Sequence, residues 1–285
     1  MNRMNKLLNR FKYADLHIHT HYSDGTMSPD MVARRAAAKG VGLIAVADHN
    51  VLAGSRRLIK CCNREGIHCI PAVELDTLEG DTLYHILGYG IDLEDPQFIA
   101  FCAGNRNLLD RMNESMVERV ATDTPGVSLE DYRRFCRDFR LGGWKALHYF
   151  LARGLTSKLR DGIRLYDMYG CYHSGFPFPS VEQACAAVRA AGGKPVLAHP
   201  GEMINTADPA EFTATLGLLM AKGVAGIESY YPTHSPEITA ACLHYAAGRG
   251  LLVTSGSDCH GRFGRTEIGQ MKVTLEQLNL SGLMD

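Results

Sequence analysis

The chain has 285 residues, 46% of them hydrophobic and 21% charged, with a formal net charge of −1 at neutral pH. That length suits one large domain or two small ones with a sizeable core, and the charge supplies no global field toward nucleic acid or a membrane surface. No apolar run approaches the roughly 18 residues that span a bilayer.

The basic stretch Met1–Lys12 lacks the apolar segment of a signal peptide and reads as a short tail or a first-turn helix. Next, Ala14, Leu16 and Ile18 alternate with Asp15, His17 and His19, the period of a β-strand. On a strand His17 and His19 project from one face with Cβ atoms roughly 7 Å apart, so two imidazoles can share one metal ion. Ser23-Asp24-Gly25 is a turn that can fold a carboxylate back toward them. Ser28-Pro-Asp starts a helix through Lys39, stopped by Gly40. Gly42–Ala47 is a buried strand leading into Asp48-His49-Asn50. A helix over Gly54–Glu65 is followed by the strand His68–Leu75, which carries Glu74, and by the strand Leu83–Gly90, which carries His85.

Gly104–Phe178 has a different texture, with Arg-rich helical patterns, Trp144 and a Gly-, Tyr- and Pro-rich loop at Tyr169–Pro179. The strand–helix rhythm then returns: helix Val181–Ala191, strand Lys194–His199, helix Pro209–Lys222, strand Gly226–Ser229, helix Pro236–Gly248 and strand Leu251–Ser255. Nine scattered cysteines without C-x-x-C spacing point to reduced, mostly buried thiols in a cytoplasmic protein.

Without the 104–178 segment, roughly 210 residues carry seven strands, nearly the size of a closed α/β barrel at about 30 residues per βα unit. A doubly wound open sheet is the competitor, but it gathers its ligand at one switch point. Here candidate ligands follow at least five strands, which favours a distorted (β/α)7 barrel, residues 13–103 and 179–285, with a small helical cap inserted at 104–178. Residues at the C-terminal strand ends of such a barrel point into one site. His17, His19, Asp24, His49, Glu74, His85, His199, Asp258 and His260 then come within reach of one another. Each alone is explained as a cap, a core histidine or a surface acid; nine at equivalent positions are not.

Asp15-Leu-His17-Ile-His19-Thr with Ser23-Asp24-Gly25, then Ala47-Asp48-His49, Ala72-Val-Glu74, Ala198-His199-Pro200 and Gly256-Ser-Asp258-Cys-His260-Gly261, resemble the ordered motifs of the PHP (polymerase and histidinol phosphatase) superfamily. Within it the match is to short bacterial metal-dependent phosphoesterases. The resemblance implies a seven-stranded barrel holding up to three divalent ions. It gives one ion His17, His19, Asp258 and a shared Glu74, a second Glu74, His85 and His199, and a third Asp24, His49 and His260. The donor chemistry points the same way: six imidazoles and three carboxylates with no thiolate suit Mn²⁺, Fe²⁺ or Zn²⁺ rather than Ca²⁺. Asp48 and His21 are expected behind the ligands. His234, in Tyr231-Pro-Thr-His-Ser, is the candidate proton donor to the leaving alkoxide.

Many relatives carry Gly-Arg-Pro-His in the insertion, where this chain has Gly142-Gly143-Trp144-Lys145. Lys145 can substitute there as a point charge on the phosphate, helped by Arg106 or Arg111, with Arg262 and Arg265 as further candidates. The expected function is a metal-dependent phosphoesterase for a small organic phosphate monoester, such as a nucleotide, a nucleoside bisphosphate or a histidinol phosphate-like compound. Three other classes compete. An exonuclease or oligoribonuclease could use the same ions, although no aromatic–basic stripe favours long nucleic acid. An amidohydrolase-type zinc enzyme would show a bridging Lys where this chain has His85. A metal-holding module without activity would show degraded ligands. Oligomeric state is not legible in the sequence.

Overall fold

In the computed structural model, which describes residues 12–284, strand β1 (Tyr13–Ile18) pairs in parallel with β2 (Val41–Val46), and β2 with the two-residue β3 (His68–Cys69). Apart from Lys12, the basic tail expected at the N-terminus lies outside the described residues. A second sheet has the order β4 (Ala72–Glu79), β5 (Thr82–Tyr89), β6 (Lys194–Leu197), β7 (Gly226–Tyr230) and β8 (Leu252–Ser255). Its first two pairings are antiparallel and its last two parallel.

The fold is therefore α/β with one parallel and one mixed sheet, and the expected closed seven-stranded barrel is not formed. Eight strands fall into two sheets that meet through isolated bridges, Ile18 with Cys259 and His49 with Glu74 among them. The strand expected over His68–Leu75 splits at Ile70-Pro71. The Ile70 N–H still bonds to Ile44 O on the first sheet, but Pro71 has no N–H to continue that ladder, and the chain crosses to the second sheet.

Both sheets contribute to a shared interior. Leu43, Ala45 and Ala47 from the first meet Leu87, Tyr89, Val196 and Ala198 from the second. The alternate residues Ile44 and Val46 turn outward onto helices α1 (Pro29–Ala38) and α2 (Ala53–Glu65). Burial on both faces is why β2 reads as an unbroken apolar run. Helix α1 begins where expected, with Ser28 Oγ accepting from the Met31 N–H and Pro29 in its first turn.

Residues 96–178 fold into α3 (Pro96–Ala121), α4 (Leu129–Arg134), α5 (Lys145–Ala152) and α6 (Ile163–Met168) with 3₁₀ turns between them. They enclose a core of their own around Met116, Tyr149 and Phe150. Helices α7 (Val181–Ala190), α8 (Pro200–Met203), α9 (Pro209–Ala221) and α10 (Pro236–Ala246) complete the second half. No helix among the described residues is long and apolar enough to cross a membrane.

Candidate metal centre

Glu74, on β4, is the hub of the polar cluster. Its Oε2 lies 3.2 Å from His17 Nε2, 3.2 Å from His19 Nε2 and 3.4 Å from His49 Nε2. Its Oε1 lies 3.0 Å from His85 Nδ1 and 3.0 Å from His199 Nε2. On the far side, Asp258 Oδ1 approaches His19 Nε2 at 3.0 Å, and His260 Nε2 lies 3.1 Å from Asp24 Oδ2. All nine residues singled out by pattern thus meet in one place. They form overlapping groups able to hold an ion: His17, His19 and Asp258; His17, Glu74 and His199; His49, Glu74 and His85; and His19, Asp24, His49 and His260.

The backbone explains the convergence. Asp76 and His85 are directly opposed across β4 and β5, two pairs beyond Glu74 and Leu87 and so on the same face. His49 and Glu74 form one bridge between the sheets, and His17 and His19 flank the other: Asp258 N donates to His17 O at 2.8 Å, and His19 N to Cys259 O at 3.1 Å. His199 (φ 27°), Asp258 (φ 49°) and Asn50 (φ 56°) all have positive φ without being glycine. Such conformations cost about 1–3 kcal/mol each and persist where the surroundings impose them. Gly256 is required by close approach, because a Cβ there would lie 2.2 Å from both Glu228 Oε1 and His17 Cβ.

Behind the cluster stand carboxylates that orient it. Glu228 on β7 accepts from His17 Nδ1 at 3.1 Å and from the His199 N–H at 2.9 Å. Asp76 accepts from His49 Nδ1 at 3.1 Å and from Asn50 Nδ2 at 2.7 Å. The Tyr231 hydroxyl donates to Asp258 Oδ2 at 2.8 Å. Asp48 accepts from Thr20 N at 2.8 Å and Ser23 Oγ at 2.6 Å, and so holds the turn that presents Asp24. His21 turns aside, its ring 3.2 Å from Met27 O. Asp76, Glu228 and Tyr231 are absent from the sequence-derived set. Period two from Glu74 does place Asp76 on the same face, but nothing local marks Glu228 within Gly226–Tyr230.

Burial opposes the charged form of every group here, yet the groups charge one another. His17 is pushed well above the ordinary histidine range, burial being outweighed by Glu74, Glu228 and Asp258. His19 rises to about 10, burial being outweighed by the carboxylates of Asp258 and Glu74 beside it. Glu74 is buried too, but His17, His49 and His85 hold it well below the carboxylate range. Asp258 Oδ1 is buried without a hydrogen-bond partner despite its 3.0 Å approach to His19 Nε2. A short approach lacking hydrogen-bond geometry places two lone-pair donors toward one point, which a cation satisfies. The donor set therefore fits divalent ions bound by imidazole and carboxylate.

The other candidates lie elsewhere. Both ring nitrogens of His234 are engaged by backbone: Nε2 accepts from the Gly201 N–H at 3.1 Å, so Nδ1 carries the proton and donates to Ser229 O at 3.1 Å. No proton is left for a leaving group, and His234 is withdrawn as general acid. Lys145 Nζ donates to Arg133 O at 3.1 Å and lies 4.6 Å over the Tyr132 ring, away from the cluster. Arg106 pairs with Asp110 at 3.2 Å. Arg111, Arg262 and Arg265 are exposed, and none of these five lines the cavity beside the cluster. Long cationic side chains on the insertion found nearer partners, carbonyls and acids, than the phosphate position.

That cavity, about 740 Å³, runs from Asp24, His49 and His85 to Trp144, Tyr166 and Leu109 of the insertion. The insertion is fastened to the cluster by backbone. Gly143 N donates to Asp24 O at 2.7 Å, and Arg137, also missed by pattern, donates to Ser23 O at 2.6 Å. Gly142, at φ 69°, packs so tightly that a Cβ would lie 2.7 Å from Asp24 O.

A histidine–carboxylate cluster at the seam of an α/β fold, opening on a cavity of about 740 Å³, defines a metallohydrolase. The PHP domain family matches residues 15–272, and the chain belongs to that family. Among curated relatives it is 28% identical over 262 residues to the phosphoribosyl 1,2-cyclic phosphate 1,2-diphosphodiesterase of Eggerthella lenta, covering 88% of this chain and 95% of that one. It is 28% identical to the 3',5'-nucleoside bisphosphate phosphatase of Chromobacterium violaceum, covering 86% of each. It is 30% identical to the 5'-3' exoribonuclease Rnm of Escherichia coli, covering 66% of this chain and 65% of that one. A provisionally assigned metal-dependent phosphoesterase from Bifidobacterium adolescentis superposes with a TM-score of 0.73 at 26% identity, covering 91% of each chain.

Proposed function

We propose that this chain is a cytoplasmic phosphatase that holds two to three divalent transition-metal ions, Mn, Fe or Zn, and hydrolyses a small phosphate monoester. The observation that carries the reading is the convergence of imidazoles on both oxygens of Glu74 beside a cavity large enough for a small organic phosphate. In this reading His17, His19, Asp258 and Glu74 hold one ion, Glu74, His85 and His199 a second, and Asp24, His49 and His260 a third. When bound, such ions lower the pKa of water and neutralise charge on the phosphoryl oxygens.

The chain's own residues do the rest. Glu228 and Asp76 fix the tautomers and ring planes of His17 and His49 through Nδ1. Three divalent ions against Asp24, Glu74 and Asp258 leave about +3 among the ligands, and about +1 once Asp76 and Glu228 behind them are counted. That favours a dianionic monoester over a monoanionic diester. Residues 104–178 act as a cap that binds the non-phosphate part and limits its size. The nine cysteines, all free, support the cytoplasmic placement.

The likeness to the Escherichia coli relative supports a second reading, cleavage at nucleic-acid 5' ends by the same ions. Metal-loaded protein tested on nucleoside monophosphates, a cyclic dinucleotide and a short RNA separates the two. Highest kcat/KM on a monoester is expected. Faster processive cutting of RNA would move the assignment to exoribonuclease, and no phosphate release from any of them would overturn both.

A further inference from the structure

Trp144, the sole tryptophan of the chain, stands where the metal cluster meets the insertion. Its ring centroid lies 5.6 Å from that of His49. It forms a wall shared by the 740 Å³ cavity and a neighbouring one of about 500 Å³. From the side of that second cavity the Arg106 guanidinium sits 5.4 Å from the indole centroid. The backbone that leads into Trp144 is pinned, Gly143 N by Asp24 O at 2.7 Å and Gly142 O by His148 Nε2 at 2.6 Å, and the ring is flanked by His49 and Arg106. A flat ring already held beside the phosphate position costs little entropy to use as a stacking surface.

The rest of the cavity sets a second condition. No Arg or Lys is among its lining residues. Beyond the cluster and Asp76, its charged walls are Asp81 and Asp167, both exposed, and apolar area comes from residues such as Leu109 and Met112. A second phosphate entering this space would lose water without gaining a cation and would face two carboxylates.

We infer that the substrate carries one phosphate and one planar aromatic group, the ring stacked on Trp144, as in a nucleoside 5'-monophosphate, and that the cavity discriminates against a second phosphate. The inference rests on the phosphatase reading for the place of the phosphate, but the stack can be tested without turnover. Because Trp144 is the only tryptophan, its fluorescence reports the contact directly.

Metal-loaded protein is titrated with adenosine 5'-monophosphate, ribose 5-phosphate and adenosine 3',5'-bisphosphate. Saturable quenching by the first is expected, with none from the second and at least about tenfold weaker binding of the third. In parallel, the ratio of kcat/KM for adenosine 5'-monophosphate over ribose 5-phosphate should fall at least about fivefold in Trp144→Ala, through KM, while Trp144→Phe keeps most of it. Equal or tighter binding of the bisphosphate, or an unchanged ratio in Trp144→Ala, overturns the inference. Quenching without hydrolysis of any of the three supports the stack and sinks the phosphatase reading. Hydrolysis of both monophosphates at equal efficiency without quenching sinks the stack alone.

Discussion

Glu74 contributes both oxygens to the cluster, five imidazoles between them, whereas each histidine meets it through a single nitrogen. Glu74→Ala should therefore lower metal content by more than one ion per chain, and His199→Ala by one at most. Elemental analysis after chelator-free purification decides this, and equal losses would remove Glu74 as a shared ligand. Glu228→Gln tests the support behind the ligands. Both partners of Glu228, His17 Nδ1 and the His199 amide, are donors, so an amide NH₂ must face one of them. Metal affinity should fall about 10–100-fold with the fold intact, measured by competition with a chromophoric chelator. Most of the nine ligand candidates were legible because they sit at or just beyond strand ends beside turn residues; Glu74 and His85, inside β4 and β5, stood out as polar residues in apolar runs. Glu228 and Tyr231 were not legible, since a lone Glu within a strand or a Tyr just past its end has no local signature until the chain is folded.

At the scale of elements, the insertion shows what pattern reading can and cannot reach. Its helical texture was evident, but the expected start at 104 falls inside α3, which begins at Pro96, and the direction in which a lysine points depends on packing. Lys145 lies over Tyr132 and bonds to Arg133 O, so Lys145→Ala should leave kcat/KM for a nucleoside monophosphate within about twofold of the parent; a loss of tenfold would restore it to the site. Gly142→Ala should be far worse. It puts a Cβ at a positive φ, 2.7 Å from Asp24 O, at a cost of at least about 1–2 kcal/mol. It also levers Trp144 away from His49, so both melting temperature and substrate quenching should fall. The strands show the same division. Alternation and apolar runs located most strand ends within a residue or two, although β4 runs on to Glu79 rather than stopping at Leu75, and the transfer of the chain from one sheet to the other at Pro71 required knowing which neighbour each strand pairs with.

For the whole molecule, the mutual charging of the cluster sets how the metal-free protein responds to pH. His19 rises from 6.5 to about 10 in the fold. Its pairing is therefore fully stabilising below about pH 6.5 and lost as pH climbs toward 10. Glu74 is depressed from 4.5, so its contribution is present above that pH and lost as pH falls through its folded value. Metal-free protein should melt highest between about pH 4.5 and 6.5 and lose stability on both sides. The metal-loaded form should hold its stability to about pH 8–9, since ions replace those protons. Melting curves with and without chelator check this; a metal-free protein that gains stability from pH 6 to 9 would contradict it.

The bridges between the two sheets carry a consequence of another kind. At Ile18–Cys259 and His49–Glu74 the ladders shrink to isolated pairs, and His17, His19, His49, Glu74 and Asp258 lie at or beside those pairs. Ions bound there would join the two halves by coordination where hydrogen bonding is thinnest, so loading and closure become one equilibrium. An ion at a thousand times its dissociation constant adds about 4 kcal/mol to whatever holds the halves together. Chelation should then speed deuterium uptake at the amides of His19, Asn50 and Asp258 well before it reaches the β4–β5 ladder. The same ions that serve chemistry would act as the hinge pin of the molecule, and a cell short of metal would contain an open protein as well as an idle one.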